Sequence, residues 1–200
     1  HYLPGILRAY GDKPLFQRFR ARLILAPLFL FGLTTTVAYL NYDFIFLIVG
    51  VWGAWHWTMQ IYGFARIYEA KTLAALPALL DKAFCILWFG TAVFVLNDVL
   101  QVYTARFYAS GGEPVSASAM LWFSRSWLAA TAAVTLGYTF KVGKSILSGV
   151  WPNPLKLAFL VLTFVYLTHT ASKIDSPTVG WAMFEMWHDT QYLAIVWVFN

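Results

Sequence analysis

Three titratable residues within two helical turns are the strongest candidates for chemistry in this sequence. Glu185 and His188 are three residues apart, and Glu185 and Asp189 are four apart. In an α-helix all three therefore share one face. A Glu-x-x-His pair on an inward-facing helix presents an oxygen and a nitrogen ligand to one centre, as in carboxylate-bridged di-iron bundles. The spacing predicts a metal site at Glu185, His188 and Asp189.

Four more ionisable side chains interrupt apolar stretches elsewhere in the chain: His56, Asp98, Arg125 and His169. Charged groups at bilayer depth cost several kcal/mol, so each needs a partner or a purpose. We expect His56 and His169 to be further metal ligands. Glu185, Asp98 and Arg125 are the expected catalytic residues, with Arg125 anchoring a ligating carboxylate or holding a substrate head group.

The type of ligand indicates the type of metal. Imidazoles and carboxylates without thiolates suit non-haem iron, and also manganese or zinc. The single cysteine, Cys85, lies in an apolar run. The four histidines include no His-x-x-His or His-x-x-x-His pair, so the multi-histidine pattern of membrane desaturases is absent. The predicted function is a membrane-embedded non-haem oxidoreductase acting on a lipid-like or other apolar substrate.

These residues must be positioned by membrane-spanning helices. Of the 200 residues, 60% are hydrophobic and 12% are charged, and the mean hydropathy is +0.63. A soluble domain has about a quarter of its residues charged, and a span needs about 20 mostly apolar residues. We predict an all-α, polytopic integral membrane bundle of about six helices after a basic segment at 1–22. The predicted spans within 23–200 are 23–40, 44–64, 82–103, 119–140, 155–172 and 179–199.

The distribution of basic residues predicts the orientation. Lysine and arginine cluster before the first span and in alternate connections: Arg8, Lys13, Arg18, Arg20 and Arg22; Arg66, Lys71 and Lys82; Lys141, Lys144 and Lys156. By the positive-inside rule that side, with both termini, is cytoplasmic.

The net charge of +5 then reflects topology, and nucleic acid is not an expected partner. Membrane lipids are expected partners, with other membrane subunits a further possibility. Since the chain begins at His1 and ends directly after an apolar run, we expect it to be a piece of a longer protein.

Depth predicts which side chains can meet. At 1.5 Å per residue, Asp98, Arg125 and His188 lie roughly 7–14 Å from the non-cytoplasmic ends of their spans, with His169 nearer that surface. His56 lies deeper, at roughly 18–20 Å. A site that joins the residues of the later spans is therefore easier to build than one that includes His56.

Structural roles and two other functions explain the same residues. Asp98 and Arg125 could form a buried ion pair, and His56 and His169 could be packing or interfacial residues. Histidines flanked by tryptophans could ligate haem or another pigment in a subunit of a larger complex. A proton-coupled transporter, with Asp98, Arg125, Glu185 and His188 as a relay, is the third alternative.

Overall fold

Helices make up nearly all of the described chain. The computed structural model describes residues 2–70, 76–96, 99–174 and 176–198. Helices account for 88% of the chain, and the described residues contain no strand, which confirms the all-α prediction. The helices are α1 (Tyr2–Gly11), α2 (Lys13–Leu40), α3 (Tyr42–Glu69), α4 (Ala78–Gly90), a π-helical turn (Thr91–Val95), α5 (Val99–Ala109), α6 (Ala117–Leu147), α7 (Pro154–Lys173) and α8 (Pro177–Val198).

Two asparagines begin helices and also tether them to neighbours. The Asn41 side-chain oxygen accepts from the backbone N–H of Phe44 at the start of α3, and its amide nitrogen donates to the Ser110 carbonyl. Asn153 accepts from the N–H of Leu155 and donates to the Tyr68 carbonyl. An N-cap asparagine satisfies an otherwise orphaned helix donor, and here each one also fixes the end of another helix.

Within the described residues, four elements are long and apolar enough to cross a membrane: α2, α3, α4 with the π turn, and α7. This supports a membrane protein, but the predicted count of six spans is not confirmed. The fourth and sixth predicted spans lie within α6 and α8, which are 31 and 22 residues long. Neither is among these four, and polar side chains such as Arg125 and Glu185 interrupt their apolar runs.

The third predicted span differs most from its observed helices. The apolar run from 82 to 103 predicted one helix, but α4 passes into the π turn at Thr91 and α5 begins at Val99. At the π turn, Trp127 of α6 donates to the Leu87 carbonyl at 2.9 Å, and Thr91 and Thr131 share a hydrogen bond of 2.9 Å. Hydropathy depends on composition and not on the backbone hydrogen-bond register. It therefore does not predict where an α-helix changes to π-helical hydrogen bonding.

The core lies where α3, α4, α6 and α7 meet. Its buried side chains include Trp57, Ile61, Cys85, Phe89 and Leu167. Two glycines let helices approach closely: a Cβ at Gly90 would overlap the Trp127 ring, and one at Gly50 would overlap Tyr103. Small residues at such crossings are typical of membrane helix packing.

Candidate metal centre

The structure brings the three residues of the α8 stripe together. One ligand atom from each of Glu185, His188 and Asp189 lies within 4.8 Å of the others. His188 is buried, at 4% exposure, while the two carboxylates are half-buried. A cation within reach of all three would meet one imidazole nitrogen and two carboxylate oxygens.

His56 joins this group from α3. Its ring centroid lies 5.3 Å from that of His188, with the ring planes at 66°. The sequence count placed the two histidines at different depths, but residue counts along separate helices do not give the vertical offset between them. The pairing adds a second imidazole beside the α8 stripe, and His56 itself is exposed on the outside of the bundle.

Two further residues of α3 hold α8 against this face. Gln60 donates its side-chain N–H to the backbone carbonyl of His188 at 2.9 Å. Trp57 hydrogen-bonds the Glu185 carboxylate, and its ring lies 6.1 Å from the His188 ring. His56, Trp57 and Gln60 therefore fix the register of α8 relative to α3.

Two other predicted site residues, His169 and Arg125, lie apart from this group. His169 is exposed on α7, whose buried positions, such as Thr163, Leu167 and Thr170, lie on another face. Arg125 is exposed on α6 and makes no side-chain hydrogen bond or ion pair with the described residues. Asp98 lies outside the described residues. The predicted association of Arg125 and His169 with the α8 stripe is therefore not seen in the described chain.

The polar ends of α3 place the group near the middle of that helix. Arg106 of α5 pairs with Asp43 at 2.6 Å near one end, and Arg66 pairs with Asp81 at 2.8 Å near the other. The 23 positions from Asp43 to Arg66 correspond to about 35 Å, close to the thickness of a hydrocarbon core. His56 lies about 20 Å from Asp43 and about 15 Å from Arg66 along the axis.

The space behind His188 is small and apolar. A cavity of about 10 Å³ lies among Trp57, Ile61, Phe89, Leu167, Phe184, Trp187, His188 and Gln191. That volume is near the minimum for one water molecule, so no planar pigment fits there. Among the described residues, the open side of the group is the one where His56 lies.

A second polar group, which the sequence interpretation missed, links the ends of four helices. Lys156 of α7 is fully buried and contacts both oxygens of Asp81, at 2.7 and 2.8 Å. It also pairs with Glu69. Arg66 pairs with the same two carboxylates, and the Tyr138 hydroxyl of α6 donates to Asp81 at 3.1 Å. We call these five residues the charged network.

The charged network holds two cations and two carboxylates, so its formal charges balance. Arg66 and Lys156 were interpreted only as orientation signals in connections between spans. One feature of the sequence could have predicted the charged network. Glu69 and Asp81 lie at the same predicted membrane face as Arg66 and Lys156, so the four charges can pair with one another. The network contacts α3, α4, α6 and α7, and it fixes where these four helices meet.

An apolar groove lies beside the charged network, between α4, α6 and α7. It has a volume of about 550 Å³, and its aromatic walls are Phe84, Trp88, Tyr138 and Phe164. The hydroxyls in its walls are already bonded within the protein, as in the Trp88–Thr135 and Tyr138–Asp81 contacts. The groove therefore offers aromatic contact without directed hydrogen bonds.

No protein-family model, curated protein or solved structure matches this chain. Its function must therefore be inferred from the geometry of its own residues.

Proposed function

We propose that this protein is a membrane-embedded, non-haem metal-dependent oxidoreductase whose metal is bound by His56, Glu185, His188 and Asp189. The observation that carries the proposal is the convergence of three ligand atoms within 4.8 Å on α8. The His56 ring beside His188 supplies a second imidazole. A site of two imidazoles and two carboxylates without a thiolate suits iron, manganese or zinc, and iron is the metal we propose.

The surroundings support an apolar substrate. A bound iron would supply redox chemistry, and the residues around it would control access and orientation. His56 is exposed on the outer surface of α3 near the middle of that helix, so a substrate would approach from the hydrocarbon phase. Trp57 and Phe184 lie on the inner side, where their rings are 6.3 Å apart at 90°, and they exclude water there.

We propose six spans with both termini cytoplasmic, adding α6 and α8 to the four apolar elements. Two observations support this. The charged network and the Arg106–Asp43 pair lie near opposite ends of α3, as two membrane faces require. Lys156, near the start of α7, also pairs with Glu69 and Asp81, the same carboxylates that Arg66 contacts, so the start of α7 lies on the same side as the end of α3.

Metal content tests the proposed centre, and the chain provides a matched control. We expect purified full-length protein to hold close to one equivalent of iron, manganese or zinc, measured by elemental analysis. His188→Ala should lose most of it, because a buried imidazole ligand is removed. His169→Ala should retain it, since His169 is exposed on another helix. Equal metal content in both variants, or none in the unaltered protein, would contradict the proposal.

The groove between α4, α6 and α7 favours a second function, a pigment-binding subunit of a larger membrane complex; the described residues of its walls include no histidine, cysteine or methionine that would ligate a haem iron. Its volume of about 550 Å³ is within the usual range of ligand pockets. An absorption spectrum separates the two functions: a co-purifying pigment band would favour the subunit, and bound iron, manganese or zinc without such a band would favour the oxidoreductase.

A further inference from the structure

An apolar hollow on the outside of α3 leads to the candidate metal centre. It is lined by Leu47, Ile48, Val51, Trp52 and Trp55 and has a volume of about 520 Å³. Ile48, Trp52 and His56 are spaced four residues apart and so lie on one stripe of the helix. One end of the hollow lies at Trp55, the residue before His56, and the other lies near the start of α3.

A lysine lies at the Trp55 end of this hollow. The Lys82 ammonium of α4 lies 5.3 Å from the centroid of the Trp55 ring, and Lys82 is half-buried. Within the described residues it forms no ion pair, whereas Arg66, Arg106 and Lys156 each pair with a carboxylate. A half-buried charge in apolar surroundings is costly unless an opposite charge meets it, and the contact with one indole offsets only part of that cost.

We propose that this surface binds one free long-chain fatty acid. The carboxylate pairs with Lys82 beside Trp55, and the chain lies along Trp52, Val51 and Ile48. The positive charge selects an anionic head, and a single ammonium matches a single carboxylate. The hollow lies along the face of one helix, which suits one chain better than the two chains of a phospholipid. The binding site stands on its own geometry, while identifying the fatty acid as the substrate of the metal centre rests on the proposed function.

Binding of radiolabelled palmitate to detergent-purified full-length protein tests the site. The unaltered protein should bind palmitate saturably. Lys82→Gln should weaken palmitate binding about tenfold or more, the usual loss for a hydrogen bond to a charged group, and should leave binding of the uncharged analogue hexadecanol unchanged. Trp52→Ala should weaken both ligands, because it removes a wall of the hollow. Retained hexadecanol binding by Lys82→Gln also shows that this variant is folded.

The matched control is Lys144→Gln, which removes an exposed lysine of α6 and should leave palmitate binding unchanged. Equal palmitate affinity in Lys82→Gln and the unaltered protein would overturn the proposal. So would the absence of palmitate binding, or displacement of palmitate by phosphatidylglycerol at equal concentration. Metal content measured on the same sample separates the two proposals: palmitate binding without metal overturns only the metal centre, and metal without palmitate binding overturns only this site.

Discussion

Trp57 contacts both kinds of ligand in the candidate metal centre. Its side chain hydrogen-bonds the Glu185 carboxylate, and its ring packs near His188 and Phe184. The residue is buried, at 5% exposure, so its position is fixed by the core. A partner that orients a ligating carboxylate contributes to metal affinity without binding the metal itself.

We expect Trp57→Phe to weaken metal binding about tenfold, because it keeps an aromatic ring but removes the N–H that orients Glu185. The measurement is a titration of the metal-free protein with iron(II), or with zinc as a redox-inert substitute. Trp122→Phe is the control, since Trp122 is exposed on α6. An affinity for Trp57→Phe equal to that of the control would mean that the hydrogen bond has no role in the centre.

At the scale of helices, the charged network joins four elements of the described chain through one carboxylate. Asp81 of α4 alone meets Arg66 of α3, Tyr138 of α6 and Lys156 of α7. Such a network stabilises the fold only while all of its charges are present, because removing one partner leaves another charge buried without compensation.

Lys156→Ala should therefore destabilise the protein by about 3–5 kcal/mol, measured as the free energy of unfolding in detergent. Lys144→Ala is the matched control, and we expect little change because Lys144 is exposed. Similar unfolding free energies for the two variants would show that the network does not hold the helices together.

The close approach of α4 and α6 depends on Gly90. Gly90→Ala should cost about 1–3 kcal/mol in unfolding free energy, because the added methyl group would force the Trp127 ring to move. Gly137→Ala, on α6, has open space around its Cβ position and should leave stability unchanged or slightly raised. If Gly137→Ala lowered the free energy of unfolding and Gly90→Ala did not, the close contact between α4 and α6 would not lie at Gly90.

At the scale of the whole molecule, the arrangement in the membrane decides what reaches the metal centre. If α3 spans the bilayer between its two charged ends, His56 lies within the hydrocarbon region. The hollow on α3 and the groove between α4, α6 and α7 would then both face lipid. This arrangement requires α6 to cross the membrane, although α6 is not among the four candidate spans found in the described chain.

Cysteine labelling tests the crossing by α6. Glu113→Cys precedes α6 and Ser148→Cys follows it, and both positions are exposed. The native Cys85 is fully buried and should not react. We expect a membrane-impermeant maleimide to label the Glu113→Cys variant from the non-cytoplasmic side only, and to label the Ser148→Cys variant only after the membrane is opened. Labelling of both variants from one side would show that α6 does not span.

The local sequence pattern was sufficient to predict part of the candidate metal centre and the all-α class of the fold. The i, i+3, i+4 spacing of Glu185, His188 and Asp189 places them on one helical face whatever the helix packs against, so their proximity followed from the sequence. The same is true of the apolar runs that form α2, α3 and α7, since length and composition determine whether a helix can span.

Only the tertiary structure decided which helices meet and at what offset. It paired His56 with His188, placed Arg125 and His169 on exposed faces, and joined Arg66, Asp81 and Lys156 across three helices. It also changed the hydrogen-bond register of the expected third span, in which α4 continues into a π turn where Trp127 and Thr131 of α6 bond to α4 and its extension. The physical reason is that a sequence specifies the axial and angular position of each side chain within its own helix. The rotation and vertical shift between helices depend on contacts such as Gly90 with Trp127 and Gln60 with His188, which form only when the bundle packs.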